Sequence, residues 1–364
     1  GGDLAQHAHA ADIEHQHSLS PAKGVFIWTD GRRLASSKRM SRRSWVLFLS
    51  LAALWGASYL FIKVSLDDDL SPPFIVFART ALAALVLLPV AAYLGALAGV
   101  RERLAPLFVL GAIQVTGPFM LITIGEQEIS SSLTGILVAG APIFTFLLAF
   151  ALEGEERATP LSLAGVALGI AGVALLLGVD APGGTAALVG GLLVVLATTG
   201  YAVGAWYLKR RVPGVQPVGA VATTCAASAL MTLPIALLTV PDHVPSLAAS
   251  GSLVALGVGG TGIAFVLFYS LVGTDGPRTT SLVAYVAPGF SVIYGVVLLD
   301  ESFGLTTAAG LVLIVGGSWL AVNGGARREL PARRIDVAAA GQAHGCPDTA
   351  LLEGAPERGD RVTA

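Results

Sequence analysis

The chain has 364 residues, of which 54% are hydrophobic and only 13% are charged, and its mean hydropathy is +0.74. Ordinary soluble domains carry about 25% charged residues, so a soluble fold of this composition would lack the polar side chains to cover its surface. The composition therefore predicts a polytopic membrane protein. The formal net charge of −2 gives no reason to expect nucleic acid as a partner, and the two cysteines do not imply a disulfide framework.

Residues 1–43 form a polar stretch without a hydrophobic period. We expect a disordered N-terminal extension, and Met40, directly before the first apolar run, suggests that residues 1–39 lie upstream of the natural start. A metal site made by its four histidines is the alternative, but the stretch has no cysteine and no ordered carboxylates. No short apolar core precedes residue 44, which argues against a cleaved signal peptide.

Ten apolar runs follow one another from Trp45 onward, separated by polar connections. Most have about 20 residues, the length that a helix needs to cross roughly 30 Å of hydrocarbon. None alternates with period two, so backbone hydrogen bonding requires helices rather than barrel strands. The sequence thus predicts an all-α protein with spans at 44–64, 72–94, 105–125, 131–152, 160–178, 187–208, 214–240, 251–273, 279–299 and 306–323.

Lys and Arg fall almost entirely on alternate connections between these spans. One set holds the cluster before Trp45, then Arg101, Arg157 and the run Lys209–Arg211, whereas the other set holds mainly acids. The positive-inside rule places the basic set in the cytoplasm. We therefore expect a multi-pass protein of the cell (plasma or inner) membrane with both termini cytoplasmic. The C-terminal tail, residues 326–364, is expected to be disordered.

The two halves of the membrane part repeat each other at an offset of 146 residues: Pro142 recurs as Pro288, and Lys63 recurs as Lys209. Each unit has five spans. Because five is odd, the second unit enters the membrane from the opposite side. Inverted repeats of this kind are common among secondary transporters, which place the substrate between the halves. The predicted repeats are residues 44–178 and 187–325, joined by a linker at 179–186.

Several motifs recur in a fixed order around these repeats. Each unit closes with a proline-containing span, a carboxylate and a glycine-containing span, while LWGASYLFIK (54–63) and FARTALAAL (77–85) occupy the first and second spans. In order, spacing and duplication these motifs resemble the EamA-type drug/metabolite transporter superfamily over about residues 44–325. The resemblance implies ten helices around a central cavity, alternating access, transport of small metabolites, and peripheral fifth and tenth helices.

Pro142 and Pro288 interrupt the fourth and ninth spans near mid-depth. Proline lacks an N–H and clashes with the carbonyl four residues earlier, so the carbonyls of Val138 and Ala284 should face a neighbour or a cavity. We interpret the two prolines as hinge or gating residues. A fixed kink that only shapes the packing is the alternative.

Arg79 is the only charged residue well inside a span, roughly 10 Å from the outer end of the second helix. A charge at this depth is costly and indicates function. Arg79 could pair with an acid at the end of the third helix, Glu126 or Glu128, could bind an anionic group of a substrate, or could snorkel to the interface. No acid lies deeper in a span, so Glu126 is also the nearest candidate for a coupling carboxylate.

Polar and aromatic residues at mid-span complete the candidate substrate site: Trp55, Gln114, Tyr201 and Tyr285 join Arg79. Tyr285 lies three residues before Pro288 and so nearly on the same face of its helix. Gln114 could instead join neighbouring helices through hydrogen bonds.

Small residues are spaced for close helix packing in the fifth and tenth spans. They are Gly165, Gly169, Gly172, Gly310 and the Gly316-Gly317 pair. This pattern predicts helix–helix contact within the fold, with a dimer interface as the alternative.

Together these features favour a secondary transporter that exports small organic metabolites, such as amino acids, related compounds or drugs, by alternating access. We expect a small-molecule substrate, the lipid bilayer, no cofactor, no metal, and a monomer or homodimer. A channel or a non-transporting scaffold is the alternative. A membrane-embedded enzyme is disfavoured, because the spans contain no histidine and no acid pair.

Overall fold

The computed structural model describes residues 40–153, 159–178 and 184–324. The expectations for residues 1–39, for most of the linker and for the tail 326–364 lie outside these ranges. All regular secondary structure in the described part is helical, and ten of its helices are long and apolar enough to cross a membrane. The predicted all-α class and the ten spans are confirmed.

We number these helices α1 to α10 in chain order. Their bounds are Arg42–Leu66, Pro72–Tyr93, Arg101–Glu128, Ser131–Leu152, Pro160–Gly178, Gly184–Arg211, Pro217–Leu238, Leu247–Pro277, Thr279–Leu298 and Leu305–Asn323.

Serine residues begin four of the helices. The hydroxyl oxygens of Ser41, Ser71, Ser130 and Ser246 each accept a hydrogen bond from the backbone N–H three residues later. A side-chain acceptor at this position satisfies one of the N–H groups that a helix start leaves without a partner. These short polar signals explain why the helices begin where the apolar runs do.

The main packing contacts join one repeat to the other. Helix α1 packs against α8 and α9, and its counterpart α6 packs against α3 and α4. Helix α2 packs along α7, while α5 packs along α10. The repeats are therefore interlocked, and residues of both line one shared core.

The connections fall at two ends of the bundle. We call one end acidic, defined by the connections 67–71, 129–130, 239–246 and 299–304, and the opposite end basic. At the acidic end Ser71 Oγ donates to the Thr239 carbonyl at 3.0 Å, and the Ser246 N–H donates to Asp68 Oδ2 at 2.9 Å. The second bond holds the pKa of the Asp68 carboxyl below its usual range. Both bonds link the connection between α1 and α2 to the connection between α7 and α8.

The two duplicated prolines are accommodated differently. Helix α4 breaks at Ala139 and Gly140 and resumes at Ala141. Pro142 is thus the second residue of a new helical segment, where a missing N–H costs little. The buried Ser318 hydroxyl of α10 donates to the Ala139 carbonyl at 2.9 Å. A neighbouring helix therefore supplies a hydrogen-bond donor to the carbonyl at the break. Pro288 instead lies inside the continuous segment Val283–Leu298.

Helices α5 and α10 approach through their glycines. A Cβ added at Gly317 would lie 2.5 Å from the Gly169 nitrogen and 2.6 Å from the Gly165 carbonyl oxygen, whereas one added at Gly316 would meet nothing within 4 Å. The small-residue pattern therefore packs one helix against another within the fold, as predicted.

We expect Gly317→Ala to lower the thermal unfolding temperature, because the added methyl overpacks the α5–α10 contact at a cost of about 1–3 kcal/mol. Gly316→Ala is the matched control and should leave the transition unchanged or slightly higher. Thermal unfolding of the detergent-purified protein, followed by tryptophan fluorescence, measures both variants. Equal transitions for the two variants would contradict the proposed packing.

Candidate functional site

Arg79 lies between the two repeats with only 8% of its surface exposed. Its Nε donates a hydrogen bond of 2.9 Å to Thr261 Oγ1 on α8. The guanidinium carbon lies 3.6 Å from the centroid of the Phe119 ring on α3. A guanidinium over an aromatic face gains roughly 0.5–2 kcal/mol. Arg79 of α2 is thus held by one residue from each repeat.

Thr261 can accept this bond because of an irregularity in its helix. Residues Ala255–Ile263 of α8 form a π-helical segment, and the Thr261 hydroxyl donates to the Leu256 carbonyl five residues earlier, at 3.0 Å. The hydroxyl proton of Thr261 is used in that bond, so the hydroxyl oxygen accepts the hydrogen bond from Arg79. Single π-helical turns inside α-helices are frequent at functional sites.

Helix α3 carries the equivalent irregularity at Ala112–Thr116. The Thr116 hydroxyl donates to Ser228 Oγ of α7 at 2.9 Å. Each π segment therefore bonds to the second helix of the opposite repeat. One of these two contacts is neutral, and the other contains the Arg79 charge.

Aromatic side chains complete the surroundings of Arg79. Tyr201 of α6 packs with Phe119 and the buried Val76. Tyr59 of α1 and Tyr201 both lie within electrostatic range of the guanidinium. Among the described residues, the two Nη groups of Arg79 have no hydrogen-bond partner. A planar guanidinium with both Nη groups available can bind a carboxylate through two parallel bonds.

Glu126 does not pair with Arg79, contrary to one of the sequence-based alternatives. Its side chain is 0% exposed, and neither carboxyl oxygen has a hydrogen-bond partner within the described ranges. The guanidinium is held by Phe119 and Thr261 instead. Lys63 Nζ donates to the backbone oxygen of Glu126 at 3.1 Å. The other predicted partner, Glu128, is exposed to solvent.

Glu301 joins the two repeats at the acidic end. Its carboxylate accepts hydrogen bonds from the backbone N–H groups of Ser131 at 2.7 Å and Ser132 at 2.9 Å, and from the Ser132 hydroxyl. Ser131 and Ser132 open α4, where the helix dipole favours a negative charge. An acid of the second repeat therefore caps a helix of the first.

The remaining predicted substrate residues lie in other environments. Trp55 packs against Phe265 and Phe268 of α8, with ring centroids 6.4 Å and 5.6 Å away. Gln114 packs against Gly204 of α6. Tyr285 is partly buried on α9. The structure thus places Tyr201 beside the Arg79 group, whereas the contacts described for Trp55 and Gln114 are with other residues.

Two shallow cavities lie on the sides of α6. One, of about 290 Å³, borders α3 near Glu128 and Thr185, and the other, of about 230 Å³, borders α4 near Phe144. Neither is lined by a predicted substrate residue. The candidate site is therefore defined by the side chains around Arg79 and not by these cavities.

Sequence reasoning did not identify Thr261, Phe119 or Tyr59 as site residues. A signal existed for Thr261, since the Thr-Gly pair that contains it recurs as Thr116-Gly117 at nearly the repeat offset. The sequence carries no such signal for Phe119 or Tyr59, because an aromatic residue in an apolar run is equally typical of lipid-facing and core positions.

Comparison with known proteins identifies the family. The family model of the EamA-like transporter family matches residues 43–178 and again 188–323. The chain belongs to the EamA-like transporter family. The two matches correspond to the two repeats, so the resemblance seen in the motifs is confirmed. Membership makes the protein a membrane transporter by family.

Two curated relatives are similar to this chain along nearly their whole length. An uncharacterized transporter of Archaeoglobus fulgidus is 26% identical over 77% of this chain and 99% of its own. A protein of Streptantibioticus cattleyicolor named as a probable terminal-alkyne amino-acid exporter is 27% identical, covering 81% and 97%. A solved crystal structure resembles the fold with a TM-score of 0.56 at 24% identity, covering 78% of this chain and 97% of its own.

We expect Glu301→Gln to destabilise the protein, because the amide is neutral and offers one acceptor oxygen to the three donors that the carboxylate now satisfies. Hydrogen bonds to a charged group contribute about 1.5–3 kcal/mol. Asp300→Asn is the matched control: Asp300 is exposed and has a positive φ of 53°, which asparagine tolerates. Thermal unfolding in detergent compares the two. An equal fall in both variants would contradict the capping role.

Proposed function

We propose that this EamA-family transporter exports small organic solutes, amino acids and related compounds first among them, by alternating access. The observation that carries the proposal is the Arg79 guanidinium, buried between the repeats with both Nη groups without a protein partner among the described residues. An ionisable side chain at this depth of a membrane protein is a functional-site hypothesis by default.

The surroundings of Arg79 favour a substrate with a carboxylate and an apolar body. The Nη pair supplies a bidentate anion site. Phe119 and Tyr201 supply apolar and aromatic walls, and Tyr59 packs against the same core as Tyr201. Amino acids and their derivatives have this combination, and the Streptantibioticus relative is named for an amino-acid substrate. Trp55, Gln114 and Tyr285 are proposed to contact substrate in other conformations of the cycle.

Alternating access would be produced by movement of one repeat against the other. The contacts that must rearrange are those that cross between repeats at the acidic end, above all the Glu301 cap on α4. The helix break before Pro142 provides a hinge in α4, and Pro288 is the corresponding candidate in α9. We propose that the basic end faces the cytoplasm of a cell membrane, following the distribution of Lys and Arg.

Arg79→Ala and Arg79→Lys should both reduce flux strongly. Alanine removes the charge, and lysine cannot form two parallel bonds to a carboxylate. Loss of a charge-assisted bond worth about 1.5–3 kcal/mol corresponds to roughly 10- to 100-fold weaker binding. The measurement is metabolite profiling of the medium of cells that express each variant, which also identifies the exported solute.

Arg101→Ala is the matched control for Arg79, since Arg101 is exposed at the basic end. Cells that express Arg101→Ala should release the same metabolites into the medium as cells that express the wild type. Wild-type export by Arg79→Ala at equal expression would overturn the assignment.

The double variant Pro142→Ala, Pro288→Ala tests the hinge. Restoring the N–H groups should straighten α4 and slow turnover more than it weakens substrate binding. Initial rates and binding to the purified protein separate the two effects. Unchanged transport would leave the prolines a packing role only.

A further inference from the structure

Two carboxyl groups near the acidic end have opposite environments. Glu301 accepts hydrogen bonds from two backbone N–H groups and one hydroxyl. Glu126, fully buried, accepts none through either carboxyl oxygen in the described part of the chain. Neighbouring acids with such different surroundings are a recurring sign that one stays ionised while the other carries a proton.

Glu126 is enclosed by close backbone packing. The adjacent Gly125 lies so near α6 that an added Cβ would be 2.6 Å from the Gly190 carbonyl oxygen. Lys63 of α1 donates a hydrogen bond to the Glu126 backbone oxygen. Glu126 therefore lies on α3 where this helix meets α1 and α6, with its side chain fully shielded from solvent.

Several charged and titratable groups face Glu126 from the elements around it. They are Lys63 and Tyr59 of α1, Asp67 after α1, Arg79 of α2, and Glu301 after α9. Lys63 and Arg79 attract a negative charge on the Glu126 carboxyl, whereas Asp67 and Glu301 repel it. The Lys63 ammonium donates to the backbone oxygen of Glu126 rather than to its carboxyl oxygens. An ionised carboxylate removed from water without a donor is far costlier than a neutral one.

We propose that Glu126 is a proton-binding site linked to the acidic end of the bundle: its carboxyl holds a proton while that end is closed, as here, and loses it to water when that end opens. The step breaks one O–H bond and transfers the proton to a water molecule that enters between α1, α3 and α6. Closure reverses it. The opening itself rests on the alternating access proposed above, whereas the presence of the proton in the closed form does not.

The sign of the pH effect follows from this linkage. The closed form binds one more proton than the open form, so acidifying the solution at the acidic end favours closure, and raising the pH favours opening. Glu126→Gln imitates the protonated side chain. It should favour the closed form at every pH.

Infrared spectroscopy of the full chain in lipid vesicles tests the site directly. We expect the wild type at neutral pH to show a carbonyl band of a buried protonated carboxylic acid, absent in Glu126→Gln and present in Glu128→Gln. Glu128 is exposed two residues away on the same helix, and its amide is the matched control. No such band in the wild type, or a band that survives in Glu126→Gln, would overturn the proposal; the wild-type result holds even if a variant folds poorly.

Flux then tests the link to opening. Wild-type and Glu128→Gln vesicles should transport more slowly when the solution at the acidic end is acidified, and Glu126→Gln should lose this response. If the wild type shows the infrared band but transports no solute, the proton site is supported and the proposed transport function is contradicted. A pH response that persists in Glu126→Gln would overturn the link between the proton and opening.

Discussion

A guanidinium within a helical bundle of this kind has to be supported by protein atoms, since hydrocarbon offers no hydrogen bonds. Arg79 meets this constraint with partners from both repeats: the Phe119 face from the first and the Thr261 hydroxyl from the second. The π segment in α8 commits the Thr261 proton and leaves its oxygen free to accept. The position of the Arg79 charge therefore depends on the π segment of α8 and on the packing of the two repeats against each other.

The same constraint explains how the bundle can be both stable and movable. Polar groups that never need to move have close partners, such as the Ala139 carbonyl with Ser318, and α5 and α10 are fixed by glycine contacts. At the acidic end the links between repeats are instead the exposed Ser246–Asp68 hydrogen bond and the partly buried Glu301 cap, where entering water can supply replacement hydrogen bonds. We infer that rearrangement is concentrated there, with Glu126 beneath it.

Much of this architecture could be predicted from the sequence because its signals are local. Run length gives ten spans, a serine before an apolar run gives a helix start, and the duplicated prolines give the repeat. The partners of Arg79 could not be predicted, since they depend on how α2, α3 and α8 meet. Charge alone suggested Glu126 or Glu128 as a possible partner, but an aromatic face and a hydroxyl contact the guanidinium instead. Likewise, the two prolines look equivalent in sequence, yet α4 breaks directly before Pro142 whereas Pro288 lies inside a continuous segment, and Ser318 on a distant helix supports the break in α4.

The central claim is that Arg79 recognises a substrate carboxylate between the repeats. The most direct test is a double-mutant cycle that measures binding of an exported amino acid and of its methyl ester to the wild type and to Arg79→Ala. The account predicts that the ester binds the wild type at least about tenfold more weakly than the acid, and that the two bind Arg79→Ala equally. An ester penalty of the same size in both proteins would show that another group reads the carboxylate and would contradict the account.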